Sequence, residues 1–598
     1  MRFSPRWFWP VLVFLTTQLI FLYTLNPAFQ NDDSAETVTA GAILGLQHPP
    51  SYVLTALVGR VQWLLPLGGF EFRANWGSSL WASFDSALLT FLIIWLIKNL
   101  FFYNSAFSNS WAATFCGVWG GFSLAMAPAY WHNALNAKGE VYLLSVFFQL
   151  LILSYMVIGE SGKNVITARV LGLPLFLIGL GLSNHWETFV IFIPAIFIFF
   201  LLIKTRRFSG WVQGFSFLIL GISPLIFLPL RAHLNPALNL GEPDKINYFW
   251  ADLFRTYYSY REESFWGILA SLLKSHIPLS QFLTFFHQLI KNKGETLLFN
   301  LGQDIGWFSF GLAVLGISGW FRLVEKKVLF FLLLSWFLLW GSLFSYYDTI
   351  QSLDSPLWMI KFFLSSDWML FLLASLGLFF LLSKINQWGK NAGFIAMALI
   401  TGCLTVNMKT GFKSMDQKDQ FVLYDYGQNL LKSLPTHSLF FAESDEDYFS
   451  IYYLQQVEHR RSDVTMIPAF TLFEPWGTKK VERENSNLGL TASSISFPDH
   501  FARIIYATSE LVVKNKNKRP VAFSNFNGAF HRYYLNRVKN IKIKSSGLAW
   551  LLDSPMTRAI VCLTPTQLRI RNVQAYQHQW NGSWEGIREI YNQIGLNL

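Results

Sequence analysis

Apolar residues fill the first 406 positions of the chain in long runs, which short polar segments interrupt. A helix that crosses the hydrocarbon core of a membrane needs about 20 such residues. By this criterion the pattern predicts about eleven membrane-spanning helices, of which the fifth and sixth are short and separated by the polar sequence "SNHW". The predicted spans are roughly 7–25, 77–98, 111–130, 139–158, 168–183, 187–204, 211–230, 305–322, 328–345, 367–384 and 391–406.

The composition agrees with a multi-span membrane protein and excludes an ordinary soluble one. Of the 598 residues, 52% are hydrophobic and 17% aromatic, while only 14% are charged; charged residues make up about 25% of a typical soluble domain. The net charge of +11 does not indicate nucleic-acid binding, because lysine and arginine are dispersed along the chain rather than gathered in one basic stripe.

The loops between the predicted spans differ in charge, and this difference predicts the orientation of the protein. Alternate loops, starting with the amino terminus, carry clusters of lysine and arginine, whereas the short opposite loops hold little beyond Lys138 and Lys361. Basic loops remain in the cytoplasm. We therefore expect the first loop, the loop 231–304 and the carboxyl-terminal region to lie outside the cytoplasm.

From about residue 407 the apolar runs become shorter and alternate with helix-like segments. The segments "SLFFAES", "DVTMIPA", "RPVAFSN" and "RAIVCLTP" have the pattern of strands, and "FARIIYATSELVVKNK" and "WEGIREIYNQIG" that of helices. The chain is therefore predicted to consist of a transmembrane domain, 1–406, and an extracytoplasmic α/β domain, 407–598. The second has the length of one ordinary domain.

Three carboxylates, Asp32, Asp33 and Glu36, crowd into the first loop, just before a helix-like segment. One interpretation is a helix cap, since acidic groups are favourable at the amino-terminal end of a helix. The other is a general base that acts on a hydroxyl group at the membrane surface. The spacing alone does not choose between them.

Other polar residues of the outer loops are candidates for substrate binding. His48 precedes two prolines, which make either a rigid turn or a stiff support for a polar group near the carboxylates. Arg60 and Arg73 either reach the lipid headgroups or bind a lipid-borne phosphate. The ends of later spans that are predicted to face the same side supply Glu140, Asn184, His185, Arg231, Asn235 and Asn239.

Two further acidic features have competing interpretations. Asp85 lies within the second predicted span, where a carboxylate is costly and normally faces the interior of the bundle. In the carboxyl-terminal region, "AESDEDYF" places Asp445 and its acidic neighbours between a strand and a helix. An acidic helix start is the favoured interpretation there, ahead of a metal or substrate site.

Several motifs of this chain resemble, in the same order, those of a family of bacterial membrane proteins that includes a eukaryotic transmembrane protein O-mannosyltransferase. The segment "DDSAETVTAGAILGLQHPPSYVLTALVGR" resembles the family signature "WDSGEF…LGIPHPPGYPLY…LG". Similar elements are "NAKGEVYLLSVFF", "GLGLSNH", "FLPLRAHLNPALNLGEPD" and "AESDEDYFSIYYLQQVEHRRSDV". The chain departs from the family pattern at Asp32, Ala35 and Ser51, where the family has an aromatic residue and two glycines.

The resemblance implies a GT-C glycosyltransferase, an all-helical polytopic bundle of about eleven transmembrane helices with two interfacial helices in its first outer loop. It implies that Asp33 is the catalytic base with Glu36 in support, and that Arg231 neutralises a departing phosphate. The donor would be a sugar, for example mannose, on a polyprenyl phosphate, and the acceptor a hydroxyl of a protein or envelope glycan outside the bacterial cytoplasmic membrane. Because a monophosphate leaving group needs little charge compensation, we expect neither a metal nor another cofactor.

Two alternatives from other classes stay open at this point. A transporter or flippase for a lipid-linked saccharide would also have a polar cavity in a helical bundle, but it predicts repeats and charges deep in several spans. A non-catalytic envelope assembly protein would use its carboxyl-terminal domain for binding, and it would not depend on Asp33 or Arg231.

Overall fold

A computed structural model of the chain describes most of the membrane region and of the carboxyl-terminal region. The residues described are 7–30, 33–101, 110–160, 168–190, 208–255, 302, 304–323, 364–388, 390–492, 500–524, 542–564, 567–568, 571 and 591.

Helices make up nearly all of the described part of the membrane region. They are α1 (Phe8–Thr24), α2 (Ser34–Ile43), α3 (Val53–Trp63), α4 (Phe70–Leu96), α5 (Ser110–Met126), α6 (Pro128–Ala134), α7 (Gly139–Glu160), α8 (Ala168–Val190), α9 (Phe208–Ile222), α10 (Phe227–His233), α11 (Ile246–Leu253), α12 (Trp307–Leu323), α13 (Leu364–Ile385) and α14 (Lys390–Met415). At the centre, α4 packs against α1, α5 and α7, and α13 packs against α5 and α12.

Within the described residues, 4 helices are long and apolar enough to cross a membrane, and the pair α5–α6, bent by 67°, would add a fifth. Shorter apolar helices, among them α1 and the first part of α7, lie at other predicted spans. The predicted span 328–345 and most of 187–204 lie outside the described residues. The structure therefore has the character of a multi-span membrane protein, while the number of eleven spans stays a prediction.

The break that the sequence pattern predicts at "SNHW" is present within the described residues, because α8 consists of two helical segments that meet in a kink at His185, whose φ of −136° and ψ of 84° are not helical. The helix tolerates these polar side chains because they find partners inside the protein. Asn184 Nδ2, for example, donates to the carbonyl of Val141 at 2.7 Å.

The two helices predicted for the first outer loop are present as α2 and α3, and they pack closely. A side chain on Gly41 would bring its Cβ within 3.0 Å of the Cα of Gly59, so the contact requires glycine. Helix α3 keeps an exposed apolar edge that ends in Val61 and Leu64, as an interfacial helix would. Helix α2 instead is buried from Ser34 to Ala42, because α3 and a carboxyl-terminal helix, α16 (Asp445–Gln456), enclose it.

The described carboxyl-terminal part is a sheet of short strands with helices packed on it. Its elements are α15 (Val422–Ser433), β1 (Leu439–Ala442), α16 (Asp445–Gln456), β2 (Thr465–Pro468), α17 (Pro475–Glu484), α18 (His500–Asn515), β3 (Val521–Phe523), β4 (Ile543–Ser546) and β5 (Ala549–Leu552). The strand order is β2-β1-β3-β5-β4. Strand β1 is parallel to β2 and β3, and β5 is antiparallel to β3 and β4.

Three of the four predicted strands form β1, β2 and β3. The fourth segment, "RAIVCLTP", is not a strand, and the hairpin β4–β5 occupies the edge of the sheet instead. The predicted helix "WEGIREIYNQIG" lies outside the described residues apart from Tyr591. The division of the chain at residue 406 stays a prediction, since α14 runs on to Met415.

Candidate active site

Asp33 lies at the amino-terminal end of α2, and its carboxylate faces two basic groups. Its backbone is left-handed, with φ 57°, and its side chain makes no capping hydrogen bond to the described part of that helix. Its Oδ2 instead lies 3.6 Å from Lys138 Nζ and 3.9 Å from His48 Nε2, and the side chain is 22% exposed. The carboxylate is therefore directed toward charged partners and solvent rather than toward the helix backbone.

Glu36 lies one turn further along α2 and holds His48 in place. One oxygen of the fully buried Glu36 accepts a hydrogen bond from the backbone N–H of His48 at 2.6 Å. The other oxygen lies 2.6 Å from His48 Nδ1, a distance that requires a proton between them. One Glu36 oxygen thus fixes the backbone of His48 and the other orients its imidazole, which presents its Nε2 toward Asp33.

Lys138 supplies a buried positive charge next to Asp33. Its side chain is 1% exposed, and its Nζ lies 4.1 Å above the ring of Tyr52. Within the described parts of the chain this Nζ has no hydrogen-bond acceptor. The turn that carries it requires Gly139, because a Cβ there would lie 1.9 Å from the carbonyl oxygen of Asn133. A lysine placed in this way stabilises negative charge on Asp33 and keeps its donors available.

Tyr52 is supported from behind by residues of α8 and by Arg255. The ring stacks on His185, with centroids 5.8 Å apart, and its hydroxyl accepts a hydrogen bond from Arg255 Nη2 at 2.9 Å. Arg255 also donates to the carbonyl of Pro49 and forms an ion pair with Glu187. The cluster around Asp33 therefore rests on a rigid packed layer.

Asp252 fixes the loop that follows His48 from the other side. Ser51 Oγ donates to Asp252 Oδ2 at 3.0 Å. Burial raises the pKa of Asp252 to about 8, against the opposing effects of the Ser51 hydrogen bond and the charge of Arg255. This carboxyl group is consequently held mostly neutral at physiological pH.

Asp33, Glu36 and His48 have ligand atoms within 4.8 Å of one another, so their geometry alone fits a metal ion. The chemistry of the neighbourhood fits a metal less well. Both oxygens of Glu36 are used on His48, and the ammonium group of Lys138 lies 3.6 Å from the Asp33 oxygen that a cation would need.

Arg60 and Arg231 lie at the opposite end of α2. Arg231 donates from Nε and Nη2 to the carbonyls of Leu44 and Ile43 at 2.7 and 2.9 Å. Arg60 donates to the carbonyl of Ala42. Ten residues of helix separate these groups from Asp33, which corresponds to about 15 Å. The predicted proximity of Arg231 to the base is therefore absent from the structure, because the arginines bind the free carbonyls of the helix end.

The remaining predicted residues do not join the cluster around Asp33 directly. Arg73 donates to the carbonyl of Trp63 at 2.7 Å, and Glu140 accepts from Trp81 Nε1 at 2.7 Å. Asn184 is hydrogen-bonded to Val141, and the side chain of Asn235 is exposed. Asn239 forms a backbone bridge with Leu46. Asp85 likewise has an internal partner, the hydroxyl of Tyr130.

The structure brings three residues to this site that the sequence analysis did not name as site residues: Lys138, Tyr52 and Arg255. One signal was present for Lys138, because it was an exception to the scarcity of cations in the short outer loops. Tyr52 lies in the same motif as His48, four residues further along. No local pattern connected Arg255 with the carboxylates, which lie far from it in the sequence.

The charged cluster lies where α2 and α3 connect α1 with α4, and the helical fold around it is similar to that of a solved structure. The fold is similar to that of ArnT from Cupriavidus metallidurans in the apo state, with a TM-score of 0.50 and 12% identity. The similarity covers 91% of this chain and 97% of the ArnT chain. Residues 33–209 match the family model described as the protein O-mannosyl-transferase TMEM260 N-terminal domain, and 423–519 match TMEM260-associated domain 2.

Curated relatives bear the same description. The chain is 26% identical over 488 residues to protein O-mannosyl-transferase TMEM260 of Mus musculus, covering 79% of this chain and 64% of the relative. It is 22% identical over 511 residues to protein O-mannosyl-transferase tmem260 of Dictyostelium discoideum, covering 78% and 58%. The resemblance drawn from the motifs is thereby confirmed, and the chain spans less than two thirds of either relative.

Proposed function

We propose that this protein is an inverting glycosyltransferase that moves a sugar, most simply mannose, from a polyprenyl-phosphate carrier to a hydroxyl group. The acceptor would be a protein or an envelope glycan on the extracytoplasmic side of the membrane. The observation that carries the proposal is the pairing of the partly exposed Asp33 carboxylate with the buried Lys138 ammonium, 3.6 Å apart. Such a pair offers a base and a cation at one place.

Asp33 would act as the general base. The ammonium of Lys138 favours the carboxylate form of Asp33, which can then accept the proton of the acceptor hydroxyl. The hydroxyl oxygen attacks the anomeric carbon as the bond from that carbon to the phosphate oxygen breaks. The products are the glycoside, with inverted configuration, and a polyprenyl monophosphate that carries the negative charge.

Lys138 would also stabilise the departing phosphate. Its donors have no acceptor in the described structure, and its burial strengthens its interaction with developing negative charge. Arg231, which the motif resemblance implied for this role, is about 15 Å away along α2. We therefore assign the phosphate to Lys138 in this proposal.

His48 and Glu36 would have positioning roles. Glu36 accepts one hydrogen bond from the backbone N–H of His48 and shares another with its imidazole, which then borders the Asp33 carboxylate. The names of the two curated relatives support protein hydroxyl groups as acceptors and mannose as the sugar. The GT-C fold supports a lipid-linked donor.

The direct test is to compare extracytoplasmic proteins and envelope glycans by mass spectrometry in cells with and without the chain. Loss of one defined hexose, restored by re-expression, is the expected result. Accumulation of a lipid-linked saccharide on the cytoplasmic face of the membrane in cells without the chain would instead support the transporter alternative.

A second measurement tests the chemistry. The purified full chain in detergent is given a synthetic polyprenyl-phosphate mannose of defined anomeric configuration and an acceptor identified by the first experiment. The anomeric configuration of the product is then read by NMR. Inversion is expected, and retention would contradict direct displacement.

A further inference from the structure

Tyr52, the residue before α3, has a backbone conformation that a tyrosine rarely adopts. Its φ is 41°, in the left-handed region, and the φ of Ser51 before it is 67°. A bulky residue in this region costs free energy and persists only where its surroundings hold it there. Tyr52 is at the same time only 1% exposed. The strained backbone thus buries an aromatic ring beside the candidate site.

The buried ring contacts both basic groups that face Asp33. Lys138 Nζ lies 4.1 Å from the centre of the ring. The imidazole of His48 meets the ring edge to face, with centroids 5.5 Å apart and an interplanar angle of 81°. The ring itself is held in place, because Arg255 Nη2 donates to its hydroxyl at 2.9 Å. One fixed side chain therefore touches Lys138 and His48 at once.

Neither basic group is close enough to Asp33 Oδ2 for a hydrogen bond. Lys138 Nζ lies 3.6 Å and His48 Nε2 3.9 Å from this oxygen, whereas a charge-assisted hydrogen bond measures about 2.7–2.9 Å. The negative face of an aromatic ring attracts an ammonium group without offering it an acceptor atom. The ring of Tyr52 therefore competes with Asp33 for the ammonium of Lys138.

A closed ion pair between Asp33 and Lys138 would hinder the proposed reaction in two ways. It would make the carboxylate a weaker base, because a hydrogen bond to the charged form favours that form. It would also occupy a donor of Lys138 that the departing phosphate needs. A ring that keeps the two groups near each other, but not hydrogen-bonded, avoids both losses.

We infer that Tyr52 is a positioning residue, whose ring holds Lys138 and His48 just beyond hydrogen-bonding distance of Asp33 Oδ2. This inference rests on the proposed glycosyl transfer and adds to it the group that keeps base and cation apart. Tyr52 acts through Lys138 rather than on the substrate.

The test changes the electrostatics of the ring and leaves its shape nearly unaltered. Tyr52→Phe in the full chain is the reference, and phenylalanines with one, two and three ring fluorines replace it by nonsense suppression. Each fluorine withdraws electron density from the ring face and so weakens its attraction for a cation. We expect kcat for transfer from polyprenyl-phosphate mannose to fall with every fluorine, by about tenfold over the series.

Three controls separate this role from a structural one, at matched amounts of folded protein. The same fluorinated residues at Phe441, a buried ring that stacks on Phe523 in the sheet, should leave transfer unchanged. Tyr52→Phe should stay within about threefold of the wild-type kcat, since the ring remains and the hydrogen bond from Arg255 is lost. Tyr52→Leu has no ring face and should lose about as much kcat as the trifluorinated ring.

Transfer by the wild type combined with an equal or rising kcat along the fluorinated series at Tyr52 would overturn the inference alone. A similar fall along the series at Phe441 would overturn it as well, because the loss would then not depend on a cation above the ring. Failure of the wild type to transfer mannose would overturn the proposed function together with the inference.

Discussion

The two ends of helix α2 carry similar numbers of charged neighbours and use them differently. At the carboxyl-terminal end, Arg60 and Arg231 donate to the carbonyls of Ala42, Ile43 and Leu44. At the amino-terminal end, Asp33 accepts no capping hydrogen bond from the described part of the helix and faces Lys138 instead. One end is closed by its charges, while the other leaves hydrogen-bonding capacity available to a ligand.

This difference gives a physical criterion for separating structural charges from chemical ones. A charged group whose donors or acceptors are used on the backbone contributes to stability. A buried charge whose donors have no partner is costly unless a ligand or a reaction uses them. By this criterion we assign Lys138 to the proposed chemistry and Arg231 to the scaffold.

Lys138→Met should give the largest effect among the neighbours of Asp33. Methionine has a similar length and suits a buried site, but it removes the positive charge near the base and the leaving group. We expect a loss of about a hundredfold in kcat for sugar transfer, as for removal of one oxyanion-stabilising group. The measurement is transfer of labelled sugar to an acceptor at matched amounts of folded protein.

A matched control for this variant is Lys418→Met. Lys418 also pairs with a carboxylate, Asp416 at 2.9 Å, and lies over an aromatic ring, Tyr23 at 4.6 Å, but its side chain is 41% exposed. It should leave transfer unchanged. An equal loss in both variants would show that the effect of Lys138→Met is not specific to the site.

Glu36→Gln should have a smaller effect, because Glu36 acts through His48. The amide has a single acceptor oxygen, so it cannot bind both the backbone N–H and the imidazole of His48 as the carboxylate does. We expect kcat to fall about tenfold, as for other groups that orient a neighbouring functional residue. An unchanged kcat would contradict a role for the orientation of His48 in the mechanism.

Arg231→Gln should act on stability rather than on chemistry. It breaks two hydrogen bonds to carbonyls at the end of α2, and leaving such groups unsatisfied costs about 2 kcal/mol. The melting temperature in detergent should fall by a few degrees, about 2 to 4 °C per kcal/mol. Transfer per folded molecule should stay within about threefold of the wild-type rate. A large loss of activity at normal stability would show instead that Arg231 acts in the active site.

Asp252→Asn should give the smallest effect, and one that depends on pH. The folded state retains the proton of Asp252 up to about pH 8, whereas the unfolded carboxyl loses it near its ordinary value of 3.8. The stability that this group contributes is therefore complete below pH 4, declines as the pH rises and is lost above about 8.

The variant cannot titrate at this position. The melting temperature of the wild type should consequently fall relative to that of Asp252→Asn between pH 5 and pH 8. Parallel pH profiles of the two proteins would contradict the burial of this carboxyl group and its role behind Ser51.

The sequence pattern predicted most helices of the membrane region and three strands of the sheet, because hydrophobic periodicity reflects burial directly. It placed the break at "SNHW" correctly, since α8 is kinked at His185, but it did not predict that Asn184 finds its partners on α7 and α3. It also predicted α2 as an interfacial helix, whereas α16, some 400 residues later in the chain, covers it. Contacts between segments so far apart leave no trace in a local pattern.

The candidate site was predictable only in part, because local patterns show only those residues that lie close together in the sequence. Asp33, Glu36 and His48 lie within one short segment, so motif and spacing brought them together. Lys138 comes from another loop, and its proximity to Asp33 depends on the packing of the whole bundle. Arg231 was placed by motif resemblance, which carried no information about the direction of its side chain.

The most direct test of the central claim is the transfer rate of Asp33→Asn beside that of Arg231→Gln, with both proteins purified as full chains and matched for folded amount. If the amino-terminal end of α2 performs the chemistry, Asp33→Asn should lose about a thousandfold in kcat, the contribution of a general base, and should melt like the wild type. Near-normal transfer by Asp33→Asn would contradict the account, whatever the behaviour of Arg231→Gln.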